Sequence, residues 1–174
     1  MNNLIPQGRL AQTLSRIKLI IFDVDGVLTD GKLIYGHKGE EFKAFNARDG
    51  VGIKMLLESN VQIAIISGRD SLALRLRAKE LGITLLYEGV ENKVNALDQI
   101  KKITDIKTEE IMHVGDDLPD LKVFDAVGLG VSVSDAHPVV KQKADLVATT
   151  RGGEGIASEI CMLVLKAQNK WPFD

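Results

Sequence analysis

Between residues 18 and 149, six short apolar runs alternate with longer stretches whose apolar positions recur at helical spacing. The runs are KLIIF (18–22), VQIAIIS (61–67), ITLLY (83–87), IMHVG (111–115), VGLGVSV (127–133) and DLVAT (145–149). They are continuous rather than alternating in polarity, as in strands buried on both faces of a parallel sheet. The intervening periodicity predicts helices over roughly 49–59, 70–81, 93–103, 118–126, 136–143 and 153–169. This rhythm implies an α/β fold with a doubly wound, Rossmann-like parallel sheet. Ligands of such sheets gather at the carboxyl ends of the strands.

One segment interrupts the rhythm. GKLIYGHKGEEFKAF (31–45) holds two short β-like runs around a Gly/His/Lys/Gly turn. It is predicted as a β-hairpin inserted directly after the first strand. It reads as a flap over the strand ends, as an edge that pairs with copies of itself, or as an ordinary surface hairpin. With 174 residues, the chain is expected to form one domain, 1–174, with this hairpin as a flap.

Chemistry-bearing residues stand where the apolar runs stop. LIIFDVDGVLTDG (19–31) runs from a buried strand into Asp23 and Asp25. Residues two apart on a strand share a side and lie roughly 6–7 Å apart. Two carboxylates so placed repel unless a cation or a proton lies between them. The second run ends in SGRD, where Ser67, Gly68 and Arg69 offer a hydroxyl, an open amide and a cation ahead of a helix N-terminus. After the third run, Lys93 stands at a predicted helix start, where the dipole disfavours a cation. The fourth ends in GDDLPD, with Asp116, Asp117 and Asp120.

Taken singly, Ser67 reads as a helix cap, Lys93 as a surface lysine and GDD as a turn. Together, on one rim, the acids suit a hard cation such as Mg²⁺ and the remaining groups suit a phosphate. Asp23 is then placed to attack phosphorus and form an aspartyl phosphate. Asp25 is placed to protonate the leaving oxygen and later to activate water.

Composition adds exclusions. A net charge of −2 argues against a nucleic-acid binder. Cys161 is the single cysteine, so no intrachain disulfide forms, and its apolar helical context marks a core thiol. No run approaches ~18 apolar residues, so no membrane span is expected, nor is the N-terminus a signal peptide; the chain is expected to be cytoplasmic. His37, His113 and His137 lack metal-ligand spacing. His113 reads as a satisfied imidazole inside a strand, His137 as a helix cap, and Asp49 as an N-cap.

These motifs resemble the haloacid dehalogenase superfamily of phosphotransferases. DVDGVLTDG, KAFNARDGVGIK, SGRD, RAKELGI, GDDLPDL, VSDAHP and GGEG, across about residues 15–170, look like its capless phosphatases acting on 3-deoxy-D-manno-octulosonate 8-phosphate. The resemblance implies a homotetramer whose hairpins form a central barrel, with a neighbouring subunit closing each site. It implies lipopolysaccharide sugar biosynthesis as the setting. It implies Asp23 as nucleophile and metal ligand, Asp25 as acid/base binding metal through its carbonyl, and Asp116 as third ligand. Ser67 and Lys93 would hold the phosphoryl group, with Gly68 beside them. Asp117 and Asp120 would support the metal loop and Lys93.

Arg69 stands where relatives acting on nine-carbon sugar-acid 9-phosphates tend to carry Glu. It therefore favours the eight-carbon substrate, whose carboxylate or hydroxyls a guanidinium could pair. Arg77 matches an arginine thought to reach a neighbour's site; the alternative is a solvated helix face. GGEGIASE departs from the pattern, with Ser158 in place of an expected arginine and Glu154 after the glycines; Arg151 is the candidate substitute. The alternative functions are a nine-carbon sialic-acid-type phosphatase and, in a different class, a phosphoacceptor signalling domain. Asp25 speaks against the last, since a second acid would hasten loss of the phosphate.

Overall fold

The computed structural model describes residues 8–173. Six parallel strands form the main sheet: β1 (Leu19–Phe22), β4 (Gln62–Ile66), β5 (Leu85–Tyr87), β6 (Ile111–Gly115), β7 (Leu129–Ser132) and β8 (Leu146–Val147). Their spatial order is β5-β4-β1-β6-β7-β8. The order reverses between β1 and β6, the switch point at which doubly wound sheets open a crevice.

Successive residues of β1 point to opposite faces, which explains its unbroken apolar run. Ile20 and Phe22 join a core with Leu56, Ile160 and Val164, while Leu19 and Ile21 join one with Leu97, Ile100 and Val123. The first core lies under α2 (Ala47–Glu58) and α7 (Ile156–Ala167), and the second under α4 (Lys93–Thr104). Full burial of such a side chain contributes about 1.5–3 kcal/mol.

The hairpin stands where the sequence predicts it. β2 (Ile34–Tyr35) pairs antiparallel with β3 (Glu41–Phe42), in the register Ile34↔Phe42 and Tyr35↔Glu41. Its outer side chains find no cover. Leu33, Ile34, Tyr35 and Phe42 are about half exposed.

The structure also departs from expectation. The predicted helix over 118–126 divides into a 3₁₀ turn at Leu118–Asp120 and a short α5 (Leu121–Phe124). Pro119 suits such a start, having no amide to donate. The N-terminal stretch holds α1 (Arg9–Arg16), whose Leu14 is fully buried in the core. Leu10, Leu14 and Ile17 recur there at helical spacing and face the core, a short signal outside the run of strands and helices read from residue 18 onward. Trp171 packs on the core and meets Phe173 edge-on at 5.4 Å. Residues 1–7 and Asp174 lie outside the described residues.

Candidate active site

The carboxyl ends of β1, β4 and β6 open onto one cleft of about 610 Å³, lined by Asp23, Asp25, Ser67, Gly68, Arg69, Lys93, Asp116 and Asp117 among others. The pairing of β1 with β6 runs on past Phe22, because the Asp23 amide donates to the Val114 carbonyl at 3.0 Å. This fixes the Asp23 backbone to the sheet. The chain then turns sharply through Gly26, whose φ is +90°. A Cβ there would stand 2.0 Å from Asp116 Oδ2, so only glycine lets the two acidic loops meet.

Lys93 begins α4 and turns away from solvent. Its Nζ lies 2.8 Å from Asp23 Oδ2 and 2.7 Å from Asp120 Oδ1. Burial alone would lower the lysine; the two carboxylates outweigh this and raise it. Asp120 is the hub. Its Oδ1 takes Lys93 and His113 Nε2 (2.8 Å), and its Oδ2 accepts from the amides of Asp116 (3.1 Å) and Asp117 (3.3 Å). Burial pushes the Asp120 carboxyl up, but the His113 and Lys93 contacts prevail and hold it below the usual range. Asp117 Oδ1 caps the 3₁₀ turn through the Leu118 amide at 2.8 Å.

Asp23, Asp116 and Asp120 each place a carboxylate oxygen within 4.8 Å of the others. Burial and then the charges of Asp23, Asp120 and Asp117 push Asp116 up to about 8. Burial also raises Asp23, opposed by Lys93 and reinforced by Asp120. Asp116 Oδ1 is buried without a partner. This donor set fits a hard divalent cation. Asp120, with both oxygens already engaged, suits the supporting position; Asp23 and Asp116 have the oxygens to give.

Arg69 also lines the cleft. Its Nη2 lies 2.5 Å from Tyr35 Oη and 3.2 Å from Glu41 Oε1, both on the hairpin. Asp25 is held by Lys43 Nζ, and Lys43 in turn lies 3.5 Å from Glu41. The sequence reading missed Tyr35, Glu41, Lys43 and the role of His113. The available signals were the polar alternation EFK on the hairpin and an imidazole inside an otherwise apolar strand.

Two sequence expectations change here. The hydroxyl of Ser67 caps no helix: it donates to Arg69 O (3.0 Å) and accepts from the Arg69 amide (3.2 Å). The helix that follows, α3 (Leu72–Leu81), starts later and is capped by Ser71, whose amide donates to Glu88. Its N-terminus is thus committed elsewhere, and Ser67 and Gly68 are the residues of this strand end that line the cleft together with Arg69. Asp49, within α2, is not that helix's cap. Asn46 caps α2, and Asp49 Oδ1 crosses to accept from the amides of Ala157 (2.8 Å) and Ser158 (3.2 Å) at the start of α7.

Arg77 is not brought to this cleft. Its guanidinium donates to Asn46 O (3.1 Å) and pairs with Glu80 at 2.9 Å. Arg151 faces a separate charged groove, where it pairs with Asp135 at 3.2 Å. The GGEG segment instead braces the Asp23 loop from behind. The Gly153 amide donates to Val27 O at 2.9 Å, and a Cβ on Gly152 would stand 1.9 Å from Gly26 O.

A family of haloacid dehalogenase-like hydrolases matches residues 86–160. The chain is 45% identical over 159 residues to 3-deoxy-D-manno-octulosonate 8-phosphate phosphatase KdsC of Yersinia pestis, covering 91% of this chain and 85% of that protein. It is 47% identical over 154 residues to KdsC of Escherichia coli strain K12, covering 88% and 82%. The crystal structure of the Moraxella catarrhalis phosphatase, in complex with magnesium ion, phosphate ion and a KDO molecule, superposes with a TM-score of 0.91 at 41% identity, covering 94% of each chain. Among the described residues no helix is long and apolar enough to cross a membrane. The chain belongs to the family of 3-deoxy-D-manno-octulosonate 8-phosphate phosphatases, within the haloacid dehalogenase-like hydrolases.

Proposed function

We propose that this protein is a Mg²⁺-dependent phosphatase that hydrolyses 3-deoxy-D-manno-octulosonate 8-phosphate to the free sugar acid and phosphate. The observation that carries the reading is the Lys93–Asp23 contact at 2.8 Å, set beside Asp116 at the sheet's switch point. A substrate phosphoryl group entering the cleft would meet a nucleophile and a fixed cation side by side.

The phosphoryl group is held by Lys93, the Ser67 hydroxyl and the Gly68 amide. Rotation of the Ser67 Oγ–H away from Arg69 O frees it to donate. An Asp23 oxygen attacks phosphorus, the P–O bond to the sugar breaks, and the leaving oxygen takes a proton from Asp25. Water, losing a proton to Asp25, then attacks the phosphorus of the aspartyl phosphate, releasing phosphate and restoring Asp23. Mg²⁺, held by the Asp23 and Asp116 carboxylates and the Asp25 carbonyl, would supply the positive charge that lets a phosphate dianion approach these acids. Asp120 and Asp117 keep Lys93 and the Asp116 loop in place.

Arg69, anchored by Tyr35 and Glu41, supports recognition of a sugar-acid carboxylate. The half-exposed apolar side chains of the hairpin support assembly of four copies through it. In that assembly Arg77 would act on a neighbouring site only after leaving Asn46. Lipopolysaccharide sugar synthesis in the cytoplasm is the setting this substrate implies. The test is phosphate release with Mg²⁺ from the eight-carbon and a nine-carbon sugar-acid phosphate side by side. The proposal predicts a strong preference for the eight-carbon ester. Preference for the nine-carbon ester would keep the mechanism and reverse the reading of Arg69.

A further inference from the structure

Lys43 is a lysine with a 1% exposed side chain, carried on a hairpin whose outer face is open to solvent. Lysines are rarely buried to this degree unless paired. Ordering so long a side chain costs on the order of 1.5–2 kcal/mol in rotamer freedom. Local geometry explains its inward turn. Along the strand, Glu41 and Lys43 share one side and Phe42 takes the other; Phe42 is 53% exposed. Lys43 Nζ meets Asp25 Oδ1, with Glu41 Oε1 at 3.5 Å. The ammonium thus stands between two carboxylates, and none of its contacts involves Asp23, Lys93 or Asp116.

The consequence lies in which Asp25 oxygen remains. Oδ1 is taken by Lys43. Among the described residues Oδ2 makes no hydrogen bond; its one partner is Arg69 Nε, in a long ion pair at 3.9 Å, and both residues line the cleft. We infer that Lys43 is a positioning residue that fixes the rotamer of Asp25, so that Oδ2 faces the leaving oxygen of the substrate. The hairpin then couples two functions: Lys43 aims the acid/base, while Tyr35 and Glu41 aim Arg69 at the sugar. Aligning a reacting group accounts for large factors in rate, so the loss of one tether is felt in the step that needs the alignment. The inference rests on the reading of Asp25 as the acid that serves the leaving group.

The test compares leaving groups. A sugar alkoxide needs a proton as it departs; p-nitrophenolate, a far weaker base, scarcely does. For a reaction through a covalent intermediate, kcat/KM reports the steps up to departure of the leaving group. It is measured with Mg²⁺ on the eight-carbon ester and on p-nitrophenyl phosphate, for wild type, Lys43→Met, Lys43→Gln, Lys43→Arg and Asp25→Asn. Lys43→Met and Lys43→Gln are expected to lose about tenfold or more on the sugar ester beyond any loss on the aryl ester. Lys43→Arg should recover most of it, and Asp25→Asn should show the same selectivity more strongly. Equal losses on both esters in the Met and Gln variants, beside a selective Asp25→Asn, would overturn the role of Lys43 alone. Equal losses in Asp25→Asn would overturn the reading of Asp25 and this inference with it.

Discussion

His113 and Asp120 share a 2.8 Å hydrogen bond inside the sheet, both fully buried. Asp120 is held ionised and so accepts, which assigns the proton to His113 Nε2. The imidazole is therefore part of the support that keeps Lys93 against Asp23. His113→Phe keeps the ring that packs edge-on against Phe124 at 5.8 Å and deletes the donor. Turnover is expected to fall about tenfold, equivalent to about 1.4 kcal/mol in the barrier. His113→Gln, which keeps a donor, should stay closer to wild type. Steady-state kinetics on folded variants checks this; equal activity in all three would remove His113 from the network.

Much of this site was legible in the chain. Asp23 and Asp116 stand directly after apolar runs, Ser67 ends one and Lys93 opens the helix that follows another, and a parallel sheet delivers its strand ends to one rim. Lys43 and Tyr35 were not legible as site residues, because their inward or outward facing depends on the hairpin's register and its tilt over the sheet. Asp49 was misread for a related reason. A carboxylate near a helix start looks like a local cap, and its bond to α7 spans a tertiary contact that no local pattern encodes. The GGEG brace on the Gly26 turn is likewise a backbone-to-backbone fit without a side-chain signature.

In its proposed role as a metal ligand, Asp116, pushed up to about 8 by burial and the surrounding acids, should govern the pH dependence of metal binding. In the metal-free protein it retains its proton below about pH 8, and a cation must displace that proton. Mg²⁺ affinity should therefore rise with pH, by up to about tenfold per unit, and level off above pH 8. Calorimetric titrations in buffers of different ionisation heat should show proton release on binding below that point. Removal of Mg²⁺ by a chelator should abolish turnover at every pH.

Asp49 imposes an opposite dependence on stability. It is 3% exposed, its Oδ2 lacks a partner, and burial pushes it up to about 6 from 3.8. Between these values the folded state binds more protons than the unfolded chain, so stability falls as pH rises. The loss begins near pH 4 and is complete above pH 6, amounting to about 3 kcal/mol as an order of magnitude. Asp49→Asn keeps an oxygen for the Ala157 and Ser158 amides and removes the charge. In metal-free urea denaturation, the stability difference between variant and wild type should grow in the variant's favour from pH 4 to 7. A difference independent of pH would contradict the assignment.

The most direct test of the proposed chemistry asks whether phosphorus is ever bonded to Asp23. Asp25→Asn should slow hydrolysis of the intermediate, since no base then activates water. Mixed with Mg²⁺ and an excess of p-nitrophenyl phosphate, quenched in acid and digested, this variant should yield the peptide containing residues 19–31 carrying one phosphoryl group on Asp23. The modification should be labile to hydroxylamine and absent from Asp23→Asn. Turnover with no phosphorylated peptide at any quench time, or activity surviving in Asp23→Asn, would contradict the nucleophilic role of Asp23.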